Sequence, residues 1–261
     1  MPPASIAFHW FSHAATHAGL VRSNNEDAVL ERPDVGLWAV ADGMGGHSDG
    51  ALASRALVER LARVDRPERL SEYVTAVESA VLEVNAHLRL LGHRAIQRTI
   101  GSTLAVLLLH GGHAVCMWAG DSRVYRLRGP TLDQLSQDHA LVEDLVERGF
   151  LDRAKAQNHP QSNLVTRAVG ASDDLKLDLD IFELSAGDVF LLCSDGLDKE
   201  ASPGELAEVM MGRGRSTEPR ATCLDLIALA LERGGRDNVS VIAIQVEVPG
   251  QAPAGQEDHA G

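Results

Sequence analysis

Asp42, Asp121, Asp195 and Asp237 each stand at the tip of a separate apolar run of strand length: GLWAVADG, HAVCMWAGDS, DVFLLCSDG and DNVSVIAIQV. Three acids fall at the exit of their run and the fourth at the entry. Strands that alternate in direction would therefore deliver all four to one edge. Clustered carboxylates raise each other's pKa unless a counter-charge is present. Hard divalent cations prefer oxygen ligands and supply that charge. Two such ions beside a water suggest phosphoester hydrolysis.

Two further segments carry matching chemistry. In Arg22-Ser23-Asn24-Asn25-Glu26-Asp27 the guanidinium could grip a phosphoryl group through parallel hydrogen bonds, and Glu26 and Asp27 could orient ion-bound waters. In Asp42-Gly43-Met44-Gly45-Gly46-His47 the Asp42 carboxylate could bridge two cations, and Gly43 would let its carbonyl approach as a ligand. Taken singly, each has a plainer reading: a charged turn, a hairpin Asp-Gly, a loop histidine, or an Asp bonding its own backbone. Acids at four strand ends call for one common explanation, and metal binding supplies it.

The elements that must position these residues follow from periodicity. Leu104–Leu109 and Ala114–Ala119 are continuous apolar runs with Gly111-Gly112 between them, a hairpin pattern, and Ser122–Leu127 forms a further strand. Continuous rather than alternating apolarity means that both faces are covered. Helical patterns flank these strands. One starts at Ser48, which can cap it; a second carries Val74, Val77, Val81, Val84, Leu88 and Leu91 between a Ser71 cap and a Gly92 stop. Two more begin at Ser202-Pro203 and near Pro219, and the last strand places Ile242, Ile244, Val246 and Val248 on one face. Between them lie the alternating run LKLDLDIFEL and residues 138–170, a flap-like insertion of one short helical stretch and a polar segment. The pattern fits two sheets packed face to face with helices outside, in a single domain over residues 1–248. Residues 249–261 read as a disordered tail.

Composition narrows the chemistry. The chain has 261 residues, 44% of them hydrophobic, enough for one sizeable core. A net charge of −13 without any basic stripe argues against nucleic acid as a partner. The three cysteines fit neither a disulfide framework nor a zinc site. Six places after them stand Ser122, Lys199 and Leu229, so the Cys-x5-Arg pattern of thiolate phosphatases is absent. The N-terminal stretch lacks the basic leader and apolar core of a signal peptide, and no run is long enough to span a membrane. A cytoplasmic, monomeric protein is expected.

Five motifs then carry a family resemblance: Arg22-x-x-Asn25-Glu26-Asp27, Asp42-Gly43-Met44-Gly45-Gly46-His47, Gly120-Asp121-Ser122-Arg123, Ser194-Asp195-Gly196-Leu197 and Gly234-Gly235-Arg236-Asp237-Asn238. Their order and spacing resemble the metal-dependent, type 2C serine/threonine protein phosphatases, in particular the bacterial branch, over residues 14–248. The resemblance implies an α+β, αββα sandwich of two mainly antiparallel sheets flanked by helix pairs. It implies two Mn²⁺ or Mg²⁺ ions bridged by Asp42, with the Gly43 carbonyl on one ion and Asp195 and Asp237 on the other. Glu26 and Asp27 would hold coordinating waters, and Arg22 the substrate phosphate. Bacterial relatives often bind a third ion, for which Asp121 and Asp195 are the matching positions. The implied substrates are phosphoserine and phosphothreonine on proteins, products of a serine/threonine kinase. The competing class is an inactive phosphoprotein-binding module on the same fold.

Three departures from the pattern stand out. Met44 stands where animal members carry a proton-donating His, Ser102 replaces a Thr in Gly101-Ser102-Thr103, and Asp198-Lys199-Glu200 is more charged than is usual.

Overall fold

The computed structural model describes residues 7–45, 49–94, 99–156, 159–212 and 217–249. Strands β1 (His9–His17), β2 (Asp27–Arg32) and β3 (Leu37–Met44) lead into helices α1 (Asp49–Leu61) and α2 (Leu70–Arg94). Strands β4 (Gly101–Ser102), β5 (Leu104–His110), β6 (His113–Ala119), β7 (Arg123–Arg128) and β8 (Thr131–Gln134) follow. Helices α3 (Leu141–Glu147) and α4 (Arg153–Ala156) precede β9 (Asp178–Glu183) and β10 (Val189–Cys193). The chain continues through α5 (Asp195–Asp198), α6 (Pro203–Met210), α7 (Pro219–Glu232) and β11 (Val239–Glu247).

The strands form two sheets, ordered β1-β11-β10-β7-β8 and β2-β3-β5-β6-β9, with antiparallel pairing throughout. Burial of the continuous apolar runs divides by parity. In β5, Leu104, Val106 and Leu108 face the layer of α1 and α2, while Ala105, Leu107 and Leu109 fill the space between the sheets. In β11, Ile242, Ile244 and Val246 enter that same middle layer, and Val239, Val241 and Ala243 meet α6 and α7. Each fully buried Leu or Ile contributes about 1.5–3 kcal/mol, so three apolar layers hold four layers of structure together. The α+β, αββα expectation is met.

Several expected boundaries move. Ser71 lies inside the first turn of α2, and that helix runs past Gly92 to Arg94. A Gly costs a helix interior only about 1 kcal/mol, and burial of Val77, Val81, Val84 and Leu88 outweighs it. The strand after Gly120-Asp121 lies on the opposite sheet from β6, so the chain crosses between sheets there. Gly120 makes this crossing at φ 115°, where an added Cβ would stand 2.6 Å from Thr103 Cβ. The polar part of the 138–170 segment contains the short helix α4. By contrast Ser202 caps α6 as expected, in a reciprocal capping box with Glu205. Ser48, His47 and residues 250–261 lie outside the described residues.

Candidate active site

Sheet direction alone explains why the acids meet. β3 and β6 are both antiparallel to β5, so they run the same way, and Asp42 near the end of β3 shares an edge with Asp121 just beyond β6. β10 and β11 are antiparallel neighbours, which brings Asp195 at the exit of one to Asp237 at the entry of the other. The two sheet edges are joined across the sandwich. Ser194 Oγ donates to Asp27 Oδ2 at 2.8 Å, and the Glu26 N–H donates to Asn238 Oδ1 at 2.8 Å. A cavity of about 630 Å³ opens there, walled by Arg22, Glu26, Asp42, Gly43, Asp121, Asp195 and Asp237 among others.

Asp42 is fixed through its backbone. Its N–H donates to Thr103 Oγ1 (3.1 Å), and its carbonyl accepts from the Thr103 N–H and Ser102 Oγ, both at 2.9 Å. Thr103 Oγ1 also shares a 2.7 Å hydrogen bond with Ser122 Oγ, which ties this strand end to the Asp121 loop. The Ser102 departure thus keeps the hydroxyl that the position uses. Gly43 leaves no room for a side chain, since a Cβ would lie 2.2 Å from the Gly50 carbonyl oxygen and 2.7 Å from that of Glu26.

The electrostatics are those of crowded acids in a low-dielectric corner. Burial first, then Asp27, Asp195, Asp121 and Asp237, drive the Asp42 pKa well above the ordinary carboxylate value. Burial and then Asp195 push Asp121 up to about 7. Asp27, the register partner of Asp42, is pushed to about 6, chiefly by burial. It stands behind the cavity rather than in its wall, and its Oδ1 is buried with no hydrogen-bond partner. Asp195 Oδ1 is orphaned in the same way.

Two cations answer these acids. Arg22, more than half exposed at the rim, donates from Nη2 to Asp237 Oδ2 at 2.8 Å. Lys199, one helical turn after Asp195, pairs with Asp195 Oδ2. With both acids held by side-chain cations, the carboxylates ring the cavity without closing on a point. Among the described residues no three His, Cys, Asp or Glu side chains stand at metal-ligand spacing. The donor set still fits hard divalent ions. It offers oxygen atoms only, two buried carboxylate oxygens lack partners, and burial disfavours the charged acids until positive charge arrives.

Sequence reasoning passed over several contributors. Lys199 stands in the sequence as one more charge in Asp198-Lys199-Glu200, although its i+4 spacing from Asp195 on a short helix predicts the pairing. Its neighbours Asp198 and Glu200 are also paired, with Arg123 at 3.1 Å and Arg236 at 2.8 Å. Asn163, Leu164 and Val165, from the 138–170 segment, line the cavity wall. Met44 lines it too.

The family model described as protein phosphatase 2C matches residues 17–221, most of the chain. The chain belongs to the protein phosphatase 2C family. Its relatives in this family include the serine/threonine protein phosphatase PstP of Mycobacterium tuberculosis, 35% identical over 234 residues. That match takes in 89% of this chain but 44% of PstP, so the chain spans less than half of that relative's length. The catalytic domain of PstP in complex with two manganese ions superposes with a TM-score of 0.82 at 33% identity, over 92% of this chain and all of that domain. PppA of Pseudomonas aeruginosa, described as a key regulatory component of T6SS, gives 0.84 at 39% identity, over 92% of this chain and 99% of PppA. Residues from all five sequence motifs line the cavity, among them Arg22, Asp42, Asp121, Asp195 and Asp237.

Proposed function

We propose that the chain is a protein-serine/threonine phosphatase that hydrolyses phosphoserine and phosphothreonine by direct attack of water, without a phosphoenzyme. One observation carries this reading: in a protein phosphatase 2C family member, acids from four strand ends share one cavity with a guanidinium at its rim.

In this reading Asp42, the Gly43 carbonyl, Asp195 and Asp237 would together hold two Mn²⁺ or Mg²⁺ ions, with Asp42 shared between them. Glu26 faces the cavity and Asp27 backs it, so both would orient water rather than bind an ion directly. When bound, the ions supply the positive charge that makes water a competent nucleophile at neutral pH.

The remaining tasks fall to the chain itself. Arg22 is exposed enough to meet a substrate, and its hydrogen bond to Asp237 aims the guanidinium over the cavity mouth, where it can grip phosphoryl oxygens. Water forms the new P–O bond as the Ser or Thr oxygen leaves in line, so inorganic phosphate and a free hydroxyl result. Met44 has no proton to give, so the leaving oxygen takes its proton from a water or from another residue of the cavity. A thiol nucleophile has no support. Cys116, Cys193 and Cys223 are buried, their pKa values pushed up by that burial, and none lines the cavity.

The domain and partner readings belong to the same proposal. Residues 1–248 act as one catalytic domain with 249–261 as its tail, and the 138–170 segment, reaching the cavity through Asn163–Val165, controls access. Substrates are phosphoproteins made by a serine/threonine kinase, met in the cytoplasm by a monomer. No helix among the described residues is long and apolar enough to cross a membrane.

The test is phosphate release from matched phosphothreonine, phosphoserine and phosphotyrosine peptides in Mn²⁺. Turnover of the first two, with phosphotyrosine at least tenfold slower, is expected. Absence of turnover on all three would favour the inactive binding module.

A further inference from the structure

The Asp121–Asp195 side of the cavity carries its own cation. Lys199 caps α5, and its backbone N–H bonds to the Asp195 carbonyl at 3.0 Å, so helical geometry delivers the ammonium directly to Asp195 Oδ2. Its side chain is about one-third exposed, against 14% for that of Asp195, so the stem reaches inward from the surface. Lys199 lines the cavity together with Asp121 and Asp195. The other nearby cations are committed elsewhere. Arg123 serves Asp138 at 2.7 Å and Asp198 at 3.1 Å, Arg236 serves Glu200, and Arg22 serves Asp237.

We infer that Lys199 is a tethered cation standing where a third divalent ion would bind between Asp121 and Asp195, so that this chain works with two ions. The inference rests on the two-ion reading above, in which Asp195 also serves the second ion, and concerns only the side of Asp195 that faces Asp121 and Lys199. A third ion at this pair of acids would share a few ångströms of space with the ammonium held on Asp195 Oδ2, and like charges that close oppose each other. The covalent tether makes the ammonium's local concentration independent of the solution, so free metal competes against a permanent occupant. The third-ion expectation for Asp121 and Asp195 therefore does not suit this chain, although both acids are present.

Counting bound metal tests this without reference to turnover. The whole chain is stripped with chelator, dialysed against a Mn²⁺ series, and analysed for Mn²⁺ per chain. Wild type should level off at two ions. Lys199→Met, which keeps the stem and removes the charge, should take up a third, and adding Asp121→Asn to it should return the count to two. Lys199→Gln serves as a second neutral variant should the Met variant fold poorly by circular dichroism. A wild-type plateau at three, or neutral variants that stay at two, overturns the inference. A wild type that binds no Mn²⁺ overturns both this inference and the two-ion reading beneath it, which separates the two failures.

Discussion

Asp27 and Asp42 sit directly opposite each other in the β2–β3 register, one backing the cavity and one facing it. Like charges at opposed positions of an antiparallel pair are destabilising, and burial of both deepens the conflict. Such an arrangement works against the fold until positive charge arrives, which is what the proposed ion site requires.

Asp42→Asn and Asp195→Asn should therefore lower kcat by about 10³-fold or more, since several kcal/mol of charge stabilisation is at stake and each 1.4 kcal/mol or so is tenfold in rate. Metal-stripped Asp42→Asn should melt no lower than wild type, because it loses a buried charge and keeps its backbone hydrogen bonds to Thr103 and Ser102. Phosphate release and thermal melts check the two halves. A variant that is inactive because it is unfolded would melt lower, and the ligand role would then lose its support.

Arg22→Ala should raise KM for phosphopeptides about tenfold to a hundredfold with a much smaller change in kcat, the scale of a lost charged hydrogen bond of about 1.5–3 kcal/mol. Steady-state kinetics on a phosphothreonine peptide measures it. If Arg22 only steadies Asp237, to which it bonds at 2.8 Å, Mn²⁺ affinity would move and KM would not.

Stability of the metal-stripped protein should depend on pH through Asp121. Its folded pKa of about 7 lies above the ordinary 3.8. Between those values the folded state holds a proton that the unfolded chain releases, so this contribution is full below about pH 4 and is lost as pH rises through 7. Asp121→Asn removes it. Melting of the stripped variant should match wild type near pH 4 and exceed it at pH 8, by about 2–4 °C for each kcal/mol at this size. A difference that is constant with pH would contradict the assignment.

The sequence made some of this legible and hid the rest for physical reasons. Runs such as Leu104–Leu109 and Ala114–Ala119 announce doubly covered strands because no polar residue interrupts them, and the parity split of Leu107 and Leu108 bears that out. Ser202 and Glu205 announce their helix because the capping box is local. β1 and β2 went unread because His9–His17 and Asp27–Arg32 mix polar and apolar residues without a firm period, and only pairing with β11 and β3 makes them strands. The four acids were readable as strand-end residues, and sheet topology brings them to one cavity. That Asp27 would stand behind Asp42, or that Ser194 would reach it from the other sheet, depends on a contact spanning 167 residues. No local pattern encodes such a contact.

The central claim is that hydrolysis here depends on divalent ions held by these acids. Phosphate release from a phosphothreonine peptide, followed while Mn²⁺ is titrated back into chelator-treated protein, tests it most directly. Activity should be absent in chelator and return with Mn²⁺ in wild type but not in Asp42→Asn. Undiminished turnover in chelator, or full recovery in that variant, would contradict it.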